Sequence, residues 1–259
     1  MLLVLDVGNT NTTLGVYEGA ELKHSWRLTT ERQRTIDEYG ILCRMLLQMY
    51  NLEPSSITDI AVSSVVPPLD FTLHKMVEIY FGVNPLFVDA RNSGMPVLYD
   101  DPDEVGADRV VNAVAALSRY GSPCVIVDFG TATTFDAISE AGEYLGGIIC
   151  PGIQISADAL FQRAARLRRV DIRRPDKVIG TNPTASVQSG LYYGYVGLVD
   201  GVLEKMIEEL GSKTRVISTG GLAPLITRGS RLIETVDHDL TLEGLRIIYE
   251  RNKGDLLPG

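Results

Sequence analysis

The chain of 259 residues is long enough to bury a sizeable core, either as one large domain or as two smaller ones. Its hydrophobic fraction of 45% and its charged fraction of 22% are ordinary for a globular protein, which argues against a disordered or fibrous chain. The formal net charge of -9 argues against nucleic acid as a partner, because sequence-independent binding depends on Lys and Arg replacing counterions along the phosphates.

The first residues favour a cytoplasmic protein with no membrane partner. The apolar stretch from Met1 ends at Asp6, without the basic region of a signal peptide or the length of a membrane span. The three histidines are scattered and show no metal-ligand spacing. The cysteines are far apart and odd in number, so we expect three buried thiols, Cys43, Cys124 and Cys150.

The chain begins with the pattern of a β-meander. Leu2 to Val16 predicts an apolar strand, a polar turn from Asp6 and a second strand from Thr13, and a glycine turn then leads to a third strand. The turn DVGNTNTT places a carboxylate at a strand end, before a glycine and five side chains with amide or hydroxyl groups. Such a loop can bind phosphates and hold Mg²⁺ through its carboxylate. The alternative is a plain hairpin, because these are common turn residues.

Helices alternate with strands in the next part of the chain, which indicates an α/β class. Apolar residues at three- and four-residue steps predict the first helix, and a proline pair ends the strand that follows it. The predicted elements are a helix from Ile36 to Tyr50, a strand from Asp59 to Val66, a helix ending near Tyr80, a strand from Leu86 to Val88 and a helix from Ala107 to Ser118.

The segment from Cys124 repeats the opening pattern. An apolar strand runs into the turn Asp128 to Thr134, a second strand follows from Phe135 to Ile138, and another glycine turn precedes a third strand. One such turn alone would be explained as a hairpin, but two copies indicate a facing pair of phosphate loops. We therefore predict an internal duplication with two lobes, residues 1–120 and 121–259.

The second half contains a long predicted helix from Ser186 to Leu210. Three glycines in it would let another backbone approach closely, either within the chain or at a subunit interface: Gly190, Gly194 and Gly197. A short strand from Val216 to Ser218 is followed by Thr219-Gly220-Gly221, for which an ordinary turn is favoured over a ligand contact. Six arginines from Arg163 to Arg174 form a basic cluster, and such clusters are usually solvated surface.

Four motifs resemble those of type III pantothenate kinases: DVGNTNTT from Asp6, GADR from Gly106, DFGTATTFD from Asp128 and GGIICPG from Gly146. The resemblance covers nearly the whole chain in order, and no Walker motif or dinucleotide fingerprint competes with it. That family belongs to the actin-like, sugar-kinase and Hsp70 superfamily, whose two ribonuclease-H-like lobes enclose ATP. The resemblance therefore implies an ATP cleft between the two lobes, and transfer of the γ-phosphoryl group to the 4′-hydroxyl of pantothenate, the first step of coenzyme A biosynthesis.

The resemblance also implies roles for single residues. The residues expected around the ATP phosphates are Asp6, Val7, Gly8, Asn9, Thr10, Asn11, Thr12 and Thr13. Asp6 would support Mg²⁺, Thr131 would contact the nucleotide, and Asp128 would hold a monovalent cation, K⁺ or NH₄⁺. The residues expected around pantothenate are Tyr99, Gly106, Ala107, Asp108, Arg109 and Thr184. The family builds this substrate site across a homodimer interface, which would give the glycines of the long helix a close-packing role.

Asp108 is the predicted general base. Phosphoryl transfer asks mainly for positioning and charge neutralisation, together with one carboxylate that orients the attacking hydroxyl. The alternative is an acid favoured in the first turn of a helix by the helix dipole. Arg109 could bind the substrate carboxylate or could be a surface arginine. Thr184 departs from the family pattern, because Pro183 precedes it where the family has Asn-Thr.

Two other functions stay open on the sequence alone. The same fold could phosphorylate a sugar or acetate, or transfer to water, because function resides in the site and not in the architecture. The chain could also be a regulatory protein like the Bvg accessory factors, which share this sequence pattern. The presence of Asp6, Asp108 and Asp128 argues against that second alternative.

Overall fold

A computed structural model describes residues 1–254 as two compact units. The first unit comprises Met1–Met95, Tyr99–Ala115 and residues 239–254, and the second comprises Pro96–Leu98 and Ala116–His238. Each unit contains one five-stranded mixed sheet, so the predicted α/β class is confirmed.

The first sheet has the strand order β3-β2-β1-β4-β5. Its strands are β1 (Leu2–Val7), β2 (Asn11–Glu18), β3 (Glu21–Thr29), β4 (Asp59–Ser64) and β5 (Leu86–Phe87). The first three strands are antiparallel, and β4 runs parallel to both β1 and β5. The first three helices of the chain are α1 (Ile36–Met49), α2 (Pro67–Phe81) and α3 (Ala107–Tyr120).

The second sheet repeats this order as β8-β7-β6-β9-β10. Its strands are β6 (Cys124–Phe129), β7 (Ala132–Ile138), β8 (Tyr144–Pro151), β9 (Arg215–Thr219) and β10 (Thr235–Val236). Again the first three strands are antiparallel, and the central strand β6 pairs in parallel with β9. The remaining helices are α4 (Ile153–Arg163), α5 (Pro183–Leu210), α6 (Ala223–Thr227) and α7 (Leu240–Asn252).

The strand register places Asp6 and Asp128 at corresponding positions. Asp6 lies opposite Thr13 on one side and Ser63 on the other, and Asp128 lies opposite Thr134 and Thr219 in the same way. In each meander the register between the second and third strands also shifts near the far end of the second strand. The duplication predicted from the sequence is therefore present in the pairing of the strands.

Local signals account for the ends of the first two helices. Thr35 caps α1 by accepting a hydrogen bond from the Glu38 N–H, and the Glu38 carboxylate accepts one from the Thr35 N–H in return. Pro67 opens α2, where its missing N–H costs nothing, and Gly82 ends it in the left-handed conformation at φ 71°.

The C-terminal helix α7 packs on the first sheet, so the second compact unit is shorter than the predicted lobe 121–259. A Cβ at Gly244 would overlap the backbone carbonyl of Val111, so the glycine lets α7 approach α3 very closely. Near its C-terminal end, Arg251 and Asn252 donate hydrogen bonds to the carbonyls of Ser93 and Asn92.

The burial of the cysteines differs in part from the prediction. Cys43 and Cys124 are buried thiols, and burial raises the pKa of each to about 12. The prediction was wrong for Cys150, which is half-buried because it lies near the end of β8. No helix among residues 1–254 has the length and apolar character needed to cross a membrane.

Candidate active site

The loop between β1 and β2 is tied down at its base and exposed at its tip. The Gly8 N–H donates to the Asn11 carbonyl at 3.0 Å, and the Thr30 N–H donates to the Thr10 carbonyl at 2.9 Å. The buried hydroxyls of Thr12 and Thr30 lie 2.8 Å apart. The side chains at positions 9, 10 and 11 are exposed, so amide and hydroxyl groups are presented on a fixed backbone.

Within the first unit, the GADR segment lies beside the edge of the sheet from which this loop emerges. The Val65 N–H donates to the Val7 carbonyl at 3.1 Å, which continues the pairing of β4 with β1. A Cβ at Gly106 would lie 3.6 Å from the Val65 Cγ1 and 2.8 Å from the Asp108 Oδ1. The glycine therefore leaves the Asp108 carboxylate room at this edge of the sheet, close to Val65.

Asp108 and Arg109 lie in the first turn of α3 and differ in burial. Asp108 is half-buried, and its Oδ1 accepts a hydrogen bond from the Arg109 N–H at 2.8 Å. Arg109 is only 7% exposed, so the alternative of a surface arginine is wrong. Burial removes competing water from the guanidinium, which is compatible with the predicted role as a carboxylate clamp.

Glycines crowd the second predicted loop, around Asp128. The position that a Cβ would take at Gly220 lies 2.5 Å from the Asp128 Oδ1 and 2.7 Å from the backbone of Phe129. Gly220 has a φ of 91°, which favours glycine and is compatible with the turn predicted for Thr219-Gly220-Gly221, and this turn packs against Asp128. The feature of the sequence that could have indicated this packing is the glycine pair directly after a buried strand.

A second glycine packs on the tip of the same loop. A Cβ at Gly152 would overlap the Thr131 carbonyl oxygen and would lie 2.9 Å from the carbonyl oxygen of Gly130. Gly152 ends the GGIICPG motif and is the N-cap of α4. The motif therefore has a physical reason: only glycine allows the loop that carries Thr131 to lie against the start of α4.

The long helix α5 holds the second loop through hydrogen bonds of one tyrosine. The Tyr195 hydroxyl contacts the buried hydroxyl of Thr133 and donates to the Pro151 carbonyl at 2.9 Å. Burial raises the pKa of the Tyr195 phenol, so it stays protonated as a hydrogen-bond donor. The loop that carries Asp128 and Thr131 is thus held by the helix whose glycines were predicted to allow close packing, within the chain or at a subunit interface.

Tyr99 follows a short segment that is anchored on the second sheet. The Leu98 N–H donates to the Tyr144 carbonyl at 2.8 Å, and the Tyr144 N–H donates to the Pro96 carbonyl at 2.9 Å. The Tyr144 hydroxyl donates to the buried carboxylate of Asp136 at 2.8 Å. Sequence reasoning missed this buried pair, because a Tyr and an Asp eight residues apart carry no local signal.

Thr184, one of the residues expected around pantothenate, lies on the surface of the second unit. It is exposed in the first turn of α5, where Asn182 caps the helix by accepting from the Ala185 N–H at 2.9 Å. Pro183 occupies the first helical position, where it is tolerated. The departure from the family pattern therefore starts the helix normally and leaves the Thr184 hydroxyl on the surface of the chain.

The comparisons with known proteins agree with these motifs. The family model for type III pantothenate kinase matches residues 2–205. A type III pantothenate kinase from Anaeromyxobacter sp. (strain Fw109-5) is 59% identical over 254 residues, which cover 98% of this chain and 100% of that relative. The chain belongs to the type III pantothenate kinase family. It is therefore an enzyme that phosphorylates pantothenate with ATP in coenzyme A biosynthesis.

Solved structures give the fold of this family member. A protein assigned to the Baf family of transcriptional activators from Campylobacter jejuni is 20% identical, with a TM-score of 0.60 and coverage of 97% of this chain and 99% of that one. A protein assigned as a 2-dehydro-3-deoxygalactonokinase from Sinorhizobium meliloti is 10% identical, with a TM-score of 0.60 and coverage of 96% and 98%. At these identities the likeness shows the two-lobed actin-like fold alone.

Asp6 and Asp128 are the two acidic residues that the sequence analysis predicted to hold ions. Among residues 1–254, no three His, Cys, Asp or Glu side chains are grouped to hold a metal ion by themselves. Asp6 stands beside exposed amide and hydroxyl groups, which fits Mg²⁺ bound by one carboxylate and phosphate oxygens. Asp128 precedes a loop whose Gly130 and Thr131 carbonyl oxygens lie close to Gly152, and carbonyl oxygens are the ligands that K⁺ takes in proteins.

Proposed function

We propose that Asp108 is the general base of this pantothenate kinase and accepts the proton of the attacking 4′-hydroxyl. The observation that supports this role is the packing of Gly106 against Val65, next to the strand end that starts the phosphate loop. In this proposal, the Asp108 carboxylate lies beside the bound phosphates. A positioned carboxylate is the one chemical group that phosphoryl transfer needs besides charge neutralisation.

The first loop, Asp6 to Thr13, binds the ATP phosphates in this proposal. Its hydrogen bonds at the base fix the loop before ATP arrives, so little conformational entropy is lost on binding. Its exposed amide and hydroxyl groups donate to phosphate oxygens, and Asp6 binds Mg²⁺. When bound, Mg²⁺ neutralises charge on the phosphates during transfer.

Pantothenate binds through the residues around the start of α3. Arg109 pairs with the substrate carboxylate, and its burial strengthens that pair because few waters compete for the guanidinium. Gly106 and Ala107 present their backbone, and Tyr99 contacts the substrate with its ring. The half-burial of Tyr99 leaves part of that ring accessible.

The second loop binds the other groups of the reaction. Asp128 holds a monovalent cation, K⁺ or NH₄⁺, and Thr131 contacts the nucleotide. When bound, the cation supplies positive charge beside the phosphates. The packing of Gly220 and Gly152 supports this assignment, because it brings backbone close to the Asp128 carboxylate and to Thr131.

The test of the catalytic proposal is the variant Asp108→Asn, with Glu104→Gln as a matched control that neutralises an exposed acid nearby. The amide cannot accept the proton, so turnover measured as 4′-phosphopantothenate by mass spectrometry falls about 10²–10⁴-fold. ATP affinity and the melting temperature stay near wild type, and the control keeps its turnover. Turnover of Asp108→Asn within threefold of wild type contradicts the role of the base.

We also propose that the enzyme is a homodimer that forms through α5. A Cβ at Gly190, Gly194, Gly197 or Gly201 would meet no atom within 4 Å among the described residues, so packing within the chain does not explain these glycines. They lie on one face of α5. Of the two explanations considered, packing within the chain and a subunit interface, the interface therefore remains. Thr184 lies on the same helix, and from there it could reach the substrate bound to the partner subunit.

The spacing of the glycines suits an antiparallel pair of α5 helices. A two-fold axis between Gly194 and Gly197 places these two opposite one another, and Gly190 opposite the partner's Gly201. An apolar cavity of about 450 Å³, lined by Leu160, Leu167 and Val187 among others, flanks the N-terminal half of this face. The basic cluster lies near this end, and the other end of α5 carries Glu204, Glu208 and Glu209, of which Glu204 and Glu208 are paired within the chain with Arg231 and Lys205.

Cysteine crosslinking tests this register in a Cys150→Ser background. The double variant Gly190→Cys/Gly201→Cys forms an intersubunit disulfide, whereas Gly190→Cys alone does not, because its two copies are about 16 Å apart along the helices. Crosslinking of Gly190→Cys alone indicates a parallel pair and contradicts the register. A monomer in sedimentation at micromolar concentration contradicts the dimer itself.

We also propose that the enzyme is cytoplasmic. Its support is the state of the cysteines, because all three are free thiols in the part of the chain described.

A further inference from the structure

The first phosphate loop contains no positively charged side chain of its own. From Asp6 to Thr13 it carries one carboxylate and otherwise neutral groups. In a Walker-type phosphate loop, by contrast, a lysine of the loop itself reaches the β- and γ-phosphates. Besides the bound ions, any positive side chain at an ATP site built on this loop therefore has to come from elsewhere in the chain.

Arg32 is held at the tip of the loop by the chain segment that follows β3. Its Nη2 donates to the Asn9 Oδ1 at 2.9 Å. Two residues earlier, Thr30 bonds to Thr10 through its backbone and to Thr12 through its hydroxyl. These three contacts join residues 30–32 to the loop, so the guanidinium is placed beside Asn9 by a fixed backbone.

The charge of Arg32 is not neutralised by the protein. Its side chain is exposed, and among residues 1–254 the structure gives it the bond to Asn9 and no carboxylate partner. Arg91 and Arg246, in contrast, each form an ion pair, with Asp103 and Glu243. A cation without a counter-ion, fixed beside a phosphate loop, is arranged for an anionic ligand.

We propose that Arg32 binds the terminal phosphates of ATP and that Asn9 positions it. This inference rests on the proposed function, in which the loop from Asp6 binds ATP. A guanidinium presents five donors in a planar fork, so one bond to Asn9 fixes its orientation while another edge donates to two phosphate oxygens. Arg32 then supplies in this kinase the charge that a lysine supplies in a Walker loop.

A purely structural role makes a different prediction. If the bond to Asn9 only braced the loop, removal of the Arg32 charge would lower the melting temperature and weaken binding of AMP and ATP alike. If Arg32 binds the terminal phosphates, the loss grows with the number of phosphates and the melting temperature without nucleotide is unchanged. Exposed single hydrogen bonds contribute little to stability, which makes the two cases separable.

The test compares Arg32→Ala, Arg32→Lys and Asn9→Ala with Arg44→Ala, an exposed arginine on α1. Calorimetry with ATP and AMP in Mg²⁺ gives the affinities, and steady-state assays give KM for each substrate. We expect Arg32→Ala to weaken ATP about 10–100-fold, the range for a charged hydrogen bond, with AMP and the KM for pantothenate within threefold of wild type. Arg32→Lys recovers part of the loss, Asn9→Ala loses less, and Arg44→Ala is unchanged.

Asp6→Asn separates failure of this inference from failure of the site. If Asp6→Asn weakens Mg²⁺-dependent ATP binding but Arg32→Ala binds ATP like wild type, the role of Arg32 is overturned and the loop assignment stands. Equal losses for ATP and AMP in Arg32→Ala also overturn it. If both variants bind ATP like wild type, the loop itself is not the phosphate site.

Discussion

The two β-meanders share one register but hold their turns in different ways. The first turn has four residues, 8–11, between the paired Val7 and Thr12, and the second has three, 130–132, between the paired Phe129 and Thr133. Thr12 and Thr133 correspond, and each is 1% exposed with its hydroxyl against another hydroxyl. The first hydroxyl contacts Thr30 at the end of its own meander, whereas the second contacts α5.

The strand beside each aspartate differs as well. In the register, the residue after Ser63 in the first unit is Ser64, and the corresponding residue after Thr219 in the second is Gly220. Ser64 donates to the Asp70 carboxylate at 2.6 Å, whereas Gly220 leaves its space to the Asp128 carboxylate. Duplication has therefore kept the position of the aspartate and changed its surroundings. A corresponding position in the fold does not by itself indicate the same chemistry.

The largest effect that sharpens this comparison is expected for Gly220→Ala. Alanine at a φ of 91° is strained, and its Cβ would lie 2.5 Å from the Asp128 Oδ1. We expect denaturant unfolding to show a loss of about 2–4 kcal/mol, and turnover to fall at least tenfold. Gly8→Ala is the matched change in the first unit, where the Cβ would lie 3.1 Å from the Asn11 carbonyl. Equal losses in the two variants contradict the difference between the loops.

A smaller effect is expected from the corresponding hydroxyl pairs. Thr12→Val leaves the Thr30 hydroxyl buried without that partner, and Thr133→Val does the same to Tyr195, so each costs about 1–3 kcal/mol of unfolding free energy. Double-mutant cycles with Thr30→Val and Tyr195→Phe measure the two couplings. Only Thr133→Val should also weaken the dimer, because its partner lies on α5. Equal effects of both changes on dimer dissociation would contradict that link.

The smallest effect concerns thiol chemistry. Because burial raises the pKa values of Cys43 and Cys124 to about 12, almost no thiolate is present at pH 8, and only Cys150 should react in the native protein. A thiol reagent should therefore react with one thiol per native chain, and with none in the Cys150→Ser variant. Release of three equivalents at one rate without unfolding would show that the two buried thiols open readily.

The sequence predicted the features that depend on local pattern. The repeated strand and turn around Asp6 and Asp128 predicted the duplication, and hydrophobic periodicity predicted α1. The helix α5 begins at Pro183 and not at Ser186, because Asn182 supplies the cap. Local polarity cannot show which loop a glycine packs on, so the role of Gly220 became visible only in the structure.

The features that were missed depend on distant contacts. The helix α7 has Gly244 in its middle, which lowers its intrinsic helix propensity, and the packing of that glycine on Val111 compensates. Arg32 lies 23 residues from Asn9, and only the pairing of β3 with β2 brings the two together. The assignments of Asp108, Asp128 and the residues around pantothenate stay predictions that the family membership supports and the variants test.

Under the proposed function, the two corresponding aspartates bind different ions. The most direct test is a pair of metal titrations on Asp6→Asn and Asp128→Asn. Initial rates with ATP and pantothenate are measured against Mg²⁺ at fixed K⁺, and against K⁺ at fixed Mg²⁺. We predict that Asp6→Asn raises the Mg²⁺ concentration for half-maximal rate, and that Asp128→Asn raises the K⁺ concentration, each by at least about tenfold, the size of one lost charged contact. A shift of the same ion dependence in both variants would contradict the account.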